Sequence, residues 1–87
     1  MLPKQPIGRN PKTPEGAFRI VLRTLRRQED WSQEELAHRS GYNRNYISLL
    51  ECGRNSPSLK TIFNLSTVFR RKPSDFMAEM EKLLKAK

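Results

Sequence analysis

The stretch from Trp31 to Leu59, WSQEELAHRSGYNRNYISLLECGRNSPSL, admits few local structures. Ser32 can accept a backbone hydrogen bond in the first turn of a helix, and Glu35 stands three residues on, so the two spell a capping box. Trp31, just ahead of the cap, is placed to pack on Leu36 as a hydrophobic staple. The signature recurs at Asn43, a favoured N-cap residue, with Tyr42 before it and Ile47 placed to receive it. Gly41, between the two starts, suits a backbone position with positive φ. Two short helices, about 33–39 and 44–51, joined by the tight turn Ser40-Gly41-Tyr42, satisfy all of these signals together.

The second of these helices has two faces of different chemistry. Ile47 and Leu50 point one way; Arg44, Asn45, Ser48 and Leu49 point the other, over an arc of roughly 140° at 3.6 residues per turn. That is the layout of a helix-turn-helix, here spanning residues 33–51. One face of the second helix packs on the core, and the other enters the major groove of DNA.

The rest of the chain reads as further helix. Thr13 caps and Pro14 opens a first helix carrying the apolar stripe Phe18, Val21, Leu22, Leu25 and ending near Gln28. Gly53 is a C-terminal cap in the loop Cys52–Pro57. Ser58 caps a fourth helix bearing Leu59, Ile62, Phe63, Leu65 and Phe69, and Pro73 opens a fifth bearing Phe76, Met77, Met80, Leu83 and Leu84. No segment alternates as a strand does, so the expected fold is all-α, five helices around one core. Residues 1–12 hold three prolines, the cations Lys4, Arg9 and Lys12, and only Leu2 and Ile7 to pack, which predicts a flexible basic arm ahead of a domain over 13–87.

At 87 residues the chain fits one small domain with a modest core. Seventeen basic residues against nine acidic give a formal net charge of +8, which suits a polyanionic partner. No apolar run is long enough to span a membrane, and MLPKQPIGRNPK lacks the apolar stretch of a secretory signal. The single cysteine, Cys52, cannot form an internal disulfide, which fits a reducing cytoplasm.

The candidate base-reading set is Asn43, Arg44, Asn45, Ser48 and Leu49. Arginine can hold guanine and asparagine adenine through two hydrogen bonds each, and a leucine can meet a thymine methyl. Tyr46, Arg54, Asn55 and Lys60 flank that helix as candidates for phosphate contacts, which position without reading sequence. Gln33 joins them at a helix start, where backbone N–H groups favour an anion. His38 is a lone histidine on a polar helix face and Cys52 a plain loop thiol, so no metal site is expected. Glu34 and Glu35 serve their helix dipole rather than acid–base chemistry. With no nucleophile–base pattern and no glycine-rich phosphate loop, the expectation is a protein that is not an enzyme and takes no cofactor or small-molecule ligand.

The order SQEELA, SGYNRNYIS, LECGRNSPSLKTI resembles the Xre-type family of Cro and lambda repressor-like proteins over about residues 18–77. The resemblance implies a five-helix DNA-binding domain that works as a homodimer on a palindromic operator, in the cytoplasm of a bacterium or in a phage. It implies a phosphate contact for Gln33, and a structural ion pair between Arg26 of the first helix and Glu51, which ends the groove-facing helix. Tyr46-Ile47-Ser48 and Gly53-Arg54-Asn55 also resemble restriction-modification controllers within that family. Three positions depart from the pattern: Cys52 where a basic residue is common, Ser66 where a small apolar one is, and Arg71 where an aliphatic one closes the core.

Met77, Met80 and Leu84 of the fifth helix exceed what a five-helix core needs, with Phe76 and Leu83 facing inward. They are the expected dimer interface, joined by the end of the fourth helix near Thr67 and Arg70. Two other functions share the fold. An antitoxin needs a toxin-binding segment, for which only 1–12 and 79–87 are spare; a protein-interaction module without DNA sits poorly with the +8 charge and the polar groove face.

Overall fold

The computed structural model describes residues 11–85, and among them the chain forms five helices and no strand. They are α1 (Pro14–Gln28), α2 (Gln33–Ser40), α3 (Arg44–Glu51), α4 (Leu59–Val68) and α5 (Pro73–Lys85). The expected arm lies outside the described residues except for Pro11 and Lys12.

The first four helices start on the caps their sequence predicts. The side chains of Thr13, Ser32, Asn43 and Ser58 accept the backbone N–H of Gly16, Glu35, Tyr46 and Thr61. Each satisfies one donor that a helix N-terminus otherwise leaves orphaned. Gly41 closes α2 with φ 84° and hands its N–H to the carbonyl of Ala37, turning the chain into α3.

Ala17, Phe18, Val21, Leu22 and Leu25 of α1 form one wall of the core. Leu36 and Ala37 of α2, Ile47 and Leu50 of α3, Ile62 and Leu65 of α4, and Phe69 just past its end pack against it. Phe76 reaches Phe18 and Phe69 at 5.9 and 6.4 Å between ring centroids, so α5 is keyed to α1 and to the end of α4. Ser66 is wholly buried in this apolar setting; its hydroxyl donates to the carbonyl of Ile62 at 2.7 Å, which removes the cost of an unpaired polar group. Arg71 stays at the surface, and Phe69 closes the core in its vicinity.

Two expectations, on Glu35 and Met80, need correction, and Trp31 makes contacts beyond the expected staple. Glu35 does not complete the capping box, because its carboxylate turns to Arg39 one turn on, at 2.7 Å. Trp31 stacks on Phe69, 5.4 Å away, with the Arg39 guanidinium 4.3 Å above its ring, so it fastens α2 to α4. Met80 is not an interface residue: it is 93% buried in the core. The reason is phase, since Phe76, Met80 and Leu83 fall at i, i+4 and i+7 on one stripe. Met77 and Leu84 do remain exposed, and so do Leu59 and Phe63 of α4.

Candidate nucleic-acid interface

α3 is held in place by a polar junction at its C-terminal end. Arg26 of α1 donates from Nε and Nη2 to the two carboxylate oxygens of Glu51, at 2.6 and 2.8 Å, and from Nη1 to the carbonyl of Trp31 at 2.8 Å. Both side chains are nearly buried, Arg26 at 11% exposure and Glu51 at 4%. Gln33 adds a fourth contact, its Nε2 donating to Glu51 Oε1 at 3.0 Å. The Arg26–Glu51 pair thus ties together α1, the loop before α2, the start of α2 and the end of α3. The hydrogen bond to Glu51 raises the Arg26 pKa above the ordinary guanidinium value, against the opposing effect of burial.

A second polar cluster sets α3 against α4. Thr61 is buried, and its Oγ1 meets the hydroxyls of Tyr42 at 3.3 Å, Tyr46 at 3.2 Å and Ser58 at 3.1 Å. Asn64 donates to the Tyr42 hydroxyl at 2.8 Å, and the two tyrosine rings lie 5.2 Å apart. These contacts were not foreseen. Tyr42 and Tyr46 four residues apart, facing a capped Ser58 with Thr61 at its third helical position, are the signal that carried them.

With Ile47, Leu50 and Glu51 turned inward, Arg44, Asn45 and Leu49 are exposed on the outer face of α3 and Ser48 is half-buried beside them. Leu49 is an exposed large apolar side chain on a helix whose other aliphatics are buried. The structure therefore brings these four candidates to one surface. Asn43 stands at the helix start, with its Oδ1 held by the N–H of Tyr46. Arg44 reaches Glu34 of α2 at 3.1 Å, a partner that sequence reasoning assigned only to the helix dipole.

The phosphate candidates divide. Arg54 and Lys60 are exposed and Asn55 half-buried in the segment that leads from α3 into α4. Tyr46 is half-buried and its hydroxyl is directed at Thr61, away from the outer face. Gln33 is half-buried with its amide on Glu51, at the N-terminus of α2, where free backbone N–H groups favour an anion. Cys52 is exposed at the end of α3, its thiol toward the carbonyl of Leu49.

A two-helix unit of this form, fixed to a small helical core and presenting one polar face, defines a DNA-binding regulator of transcription. The chain belongs to the helix-turn-helix family, whose model matches residues 22–76. A relative in Archaeoglobus fulgidus, named an uncharacterized HTH-type transcriptional regulator, is 38% identical over 67 residues, covering 76% of this chain and 94% of its own. The hypothetical transcription factor NHTF from Neisseria has a similar structure, with a TM-score of 0.72 and 27% identity over 82% of this chain and 85% of that one. The clp gene regulator ClgR from Corynebacterium glutamicum shares the fold, with a TM-score of 0.78 at 24% identity over 85% of this chain and 80% of that one. No helix among the described residues is long and apolar enough to cross a membrane.

Proposed function

We propose that this regulator is a sequence-specific homodimer that reads a two-fold symmetric operator through the outer face of α3. The observation that carries the reading is the separation of faces on that helix: Ile47, Leu50 and Glu51 are locked inward while Arg44, Asn45 and Leu49 stand exposed. In this reading Arg44 and Asn45 hold purine edges, Leu49 meets a thymine methyl, and Ser48 and Asn43 complete the contact. Gln33, Arg54, Asn55 and Lys60 anchor the flanking phosphates. Two copies of α3 would then sit about 34–36 Å apart, one turn of DNA.

The dimer is argued from apolar surface. Met77 and Leu84 are seven residues apart on one side of α5, and Leu59 and Phe63 are one turn apart on α4, which packs beside α5. All four are large, apolar and exposed, and adaptable methionine suits such contacts. The narrower reading as a restriction-modification controller rests on Tyr46-Ile47-Ser48 and Gly53-Arg54-Asn55 alone.

Selection of duplexes from a random pool by the full chain tests the proposal. A palindromic consensus is expected, with Arg44→Ala relaxing preference at one base pair per half-site. Recovery of no consensus would overturn sequence reading. A consensus matching the promoter of a neighbouring restriction-methylation operon is the outcome expected of a controller.

A further inference from the structure

Two arginines outside the helix-turn-helix have no assigned role. Arg19 and Arg23 lie four residues apart on α1, and among the described residues neither forms an ion pair with a carboxylate. The acids that meet this side of α1 have other partners. Glu15, one turn before Arg19, accepts from the Ser56 hydroxyl, and Glu51 is held by Arg26. Like charges at this spacing repel and destabilise a helix. The Nε of Arg23 is also shut away from solvent without a hydrogen-bond partner, which costs free energy. The domain thus keeps two unmatched cations on one side of its first helix.

Their position is fixed by the contacts on either side. Residues 15, 19, 23 and 26 follow one side of α1, by steps of four, four and three. The first of them is bound to Ser56 and the last to Glu51, so this side of α1 runs along the loop that leaves the groove-facing helix. Arg19 packs directly on that loop: a Cβ added at Gly53 would stand 3.2 Å from Arg19 Cδ. The same loop carries exposed Arg54, and Gln33 meets the same Glu51 that Arg26 holds.

We propose that Arg19 and Arg23 form a phosphate clamp on α1, gripping the DNA strand that passes the C-terminal end of α3. The inference rests on the reading of α3 as the groove-facing helix and adds contacts from outside the motif. A phosphate supplies the counter-charge that the fold withholds, and the planar guanidinium suits a phosphate oxygen pair. Because the clamp touches only the backbone, it adds affinity equally on every sequence and fixes the angle at which α3 enters the groove.

The test is the salt dependence of binding by the full chain, on its selected duplex and on random duplex, with melting temperature measured alongside. Replacing both arginines by alanine should flatten the plot of log affinity against log salt by about 0.9 per arginine. Affinity should fall by the same factor on both duplexes, and lysine at both positions should restore the slope. Should alanine unfold the domain, glutamine at both positions is read in its place. An unchanged slope in a folded variant, beside a wild type that binds, overturns the clamp alone and leaves the two as packing residues. A loss confined to the selected duplex also overturns it. A wild type whose binding to either duplex ignores salt overturns the clamp and the reading of α3 together.

Discussion

Arg44, the first residue of α3, is paired with Glu34 of α2, Nε to Oε2 at 3.1 Å. Both side chains are more than half exposed, so the pair is worth at most about 1 kcal/mol, little to give up if Arg44 holds a base as proposed. Arg44→Ala is expected to cost about 1–3 kcal/mol on the selected site and to relax one base position. Glu34→Gln removes a competitor and a charge near the phosphates, and is expected to tighten binding by up to about fivefold, the equivalent of about 1 kcal/mol. Anisotropy titrations of the three proteins decide this. Weaker binding by Glu34→Gln would mean that the carboxylate orients Arg44 rather than restraining it.

The junction at Glu51 should dominate the stability of the domain. Removing one partner of a buried pair leaves the other charge uncompensated, so Arg26→Ala and Glu51→Ala are each expected to cost about 3–5 kcal/mol. Replacing both by apolar residues should cost less than either single change, and urea unfolding of the three variants provides the check. The pH dependence has a definite sign. Arg26 has a raised pKa, so its contribution is complete below the unfolded value and is lost only as pH rises through the still higher folded value. Titration of Arg26 therefore takes no stability from the domain at any ordinary working pH.

The helices were legible because their ends are written locally. Thr13, Ser32, Asn43 and Ser58 each cap within three residues of themselves, and Gly41 and Gly53 turn the chain at positive φ. The Arg26–Glu51 pair was legible only through family resemblance, because 25 residues separate the partners. What remained hidden lies between elements. The stacking of Trp31 on Phe69, 38 residues away, has no signal near Trp31 in sequence. The bond from Gln33 to Glu51 spans 18 residues and has no local signal in the sequence. Met80 was within reach of sequence reasoning, since it follows Phe76 by one turn on the face that goes inward.

Glu15 and Ser56 join the start of α1 to the loop before α4. The Ser56 hydroxyl, with a lesser contribution from a backbone N–H, lowers the Glu15 pKa from its ordinary value of 4.5. A lowered carboxylate pKa stabilises the fold above the unfolded value, and that contribution is lost as pH falls through the folded one. The sensitive window therefore opens at 4.5 and extends to the acid side. Ser56→Ala should return the Glu15 titration toward 4.5 in an NMR pH series. A Glu15 midpoint that does not move would assign the shift to the backbone donor instead.

Gly41 and Gly53 separate backbone strain from crowding. Gly41 has φ 84° and nothing within 4 Å of where a Cβ would sit, so Gly41→Ala should cost about 1–2 kcal/mol from backbone conformation alone. Gly53 has a similar φ of 79°, but its added Cβ would press on Arg19 at 3.2 Å. Gly53→Ala should therefore cost at least as much, and the excess should disappear in a background where Arg19 is alanine. A double-mutant cycle by urea unfolding measures this directly. An excess that persists without Arg19 would place the crowding elsewhere.

The assembly prediction turns on which apolar residues the monomer already uses. Met80 is 7% exposed and lines the core, so Met80→Ala should cost about 2–5 kcal/mol of stability and leave association unchanged. Met77 and Phe63 are 48% and 57% exposed, so each can become glutamate with little loss of folding stability. If α4 and α5 form the dimer surface, the same change places two like charges against each other across the two-fold axis, because a symmetric interface uses one patch on both subunits. Sedimentation of Met77→Glu and Phe63→Glu should then give the monomer mass at concentrations where wild type is dimeric. Both variants should also lose affinity for a full palindrome while keeping that for a half-site. A wild-type mass and full-palindrome affinity in both variants would remove these faces from the interface.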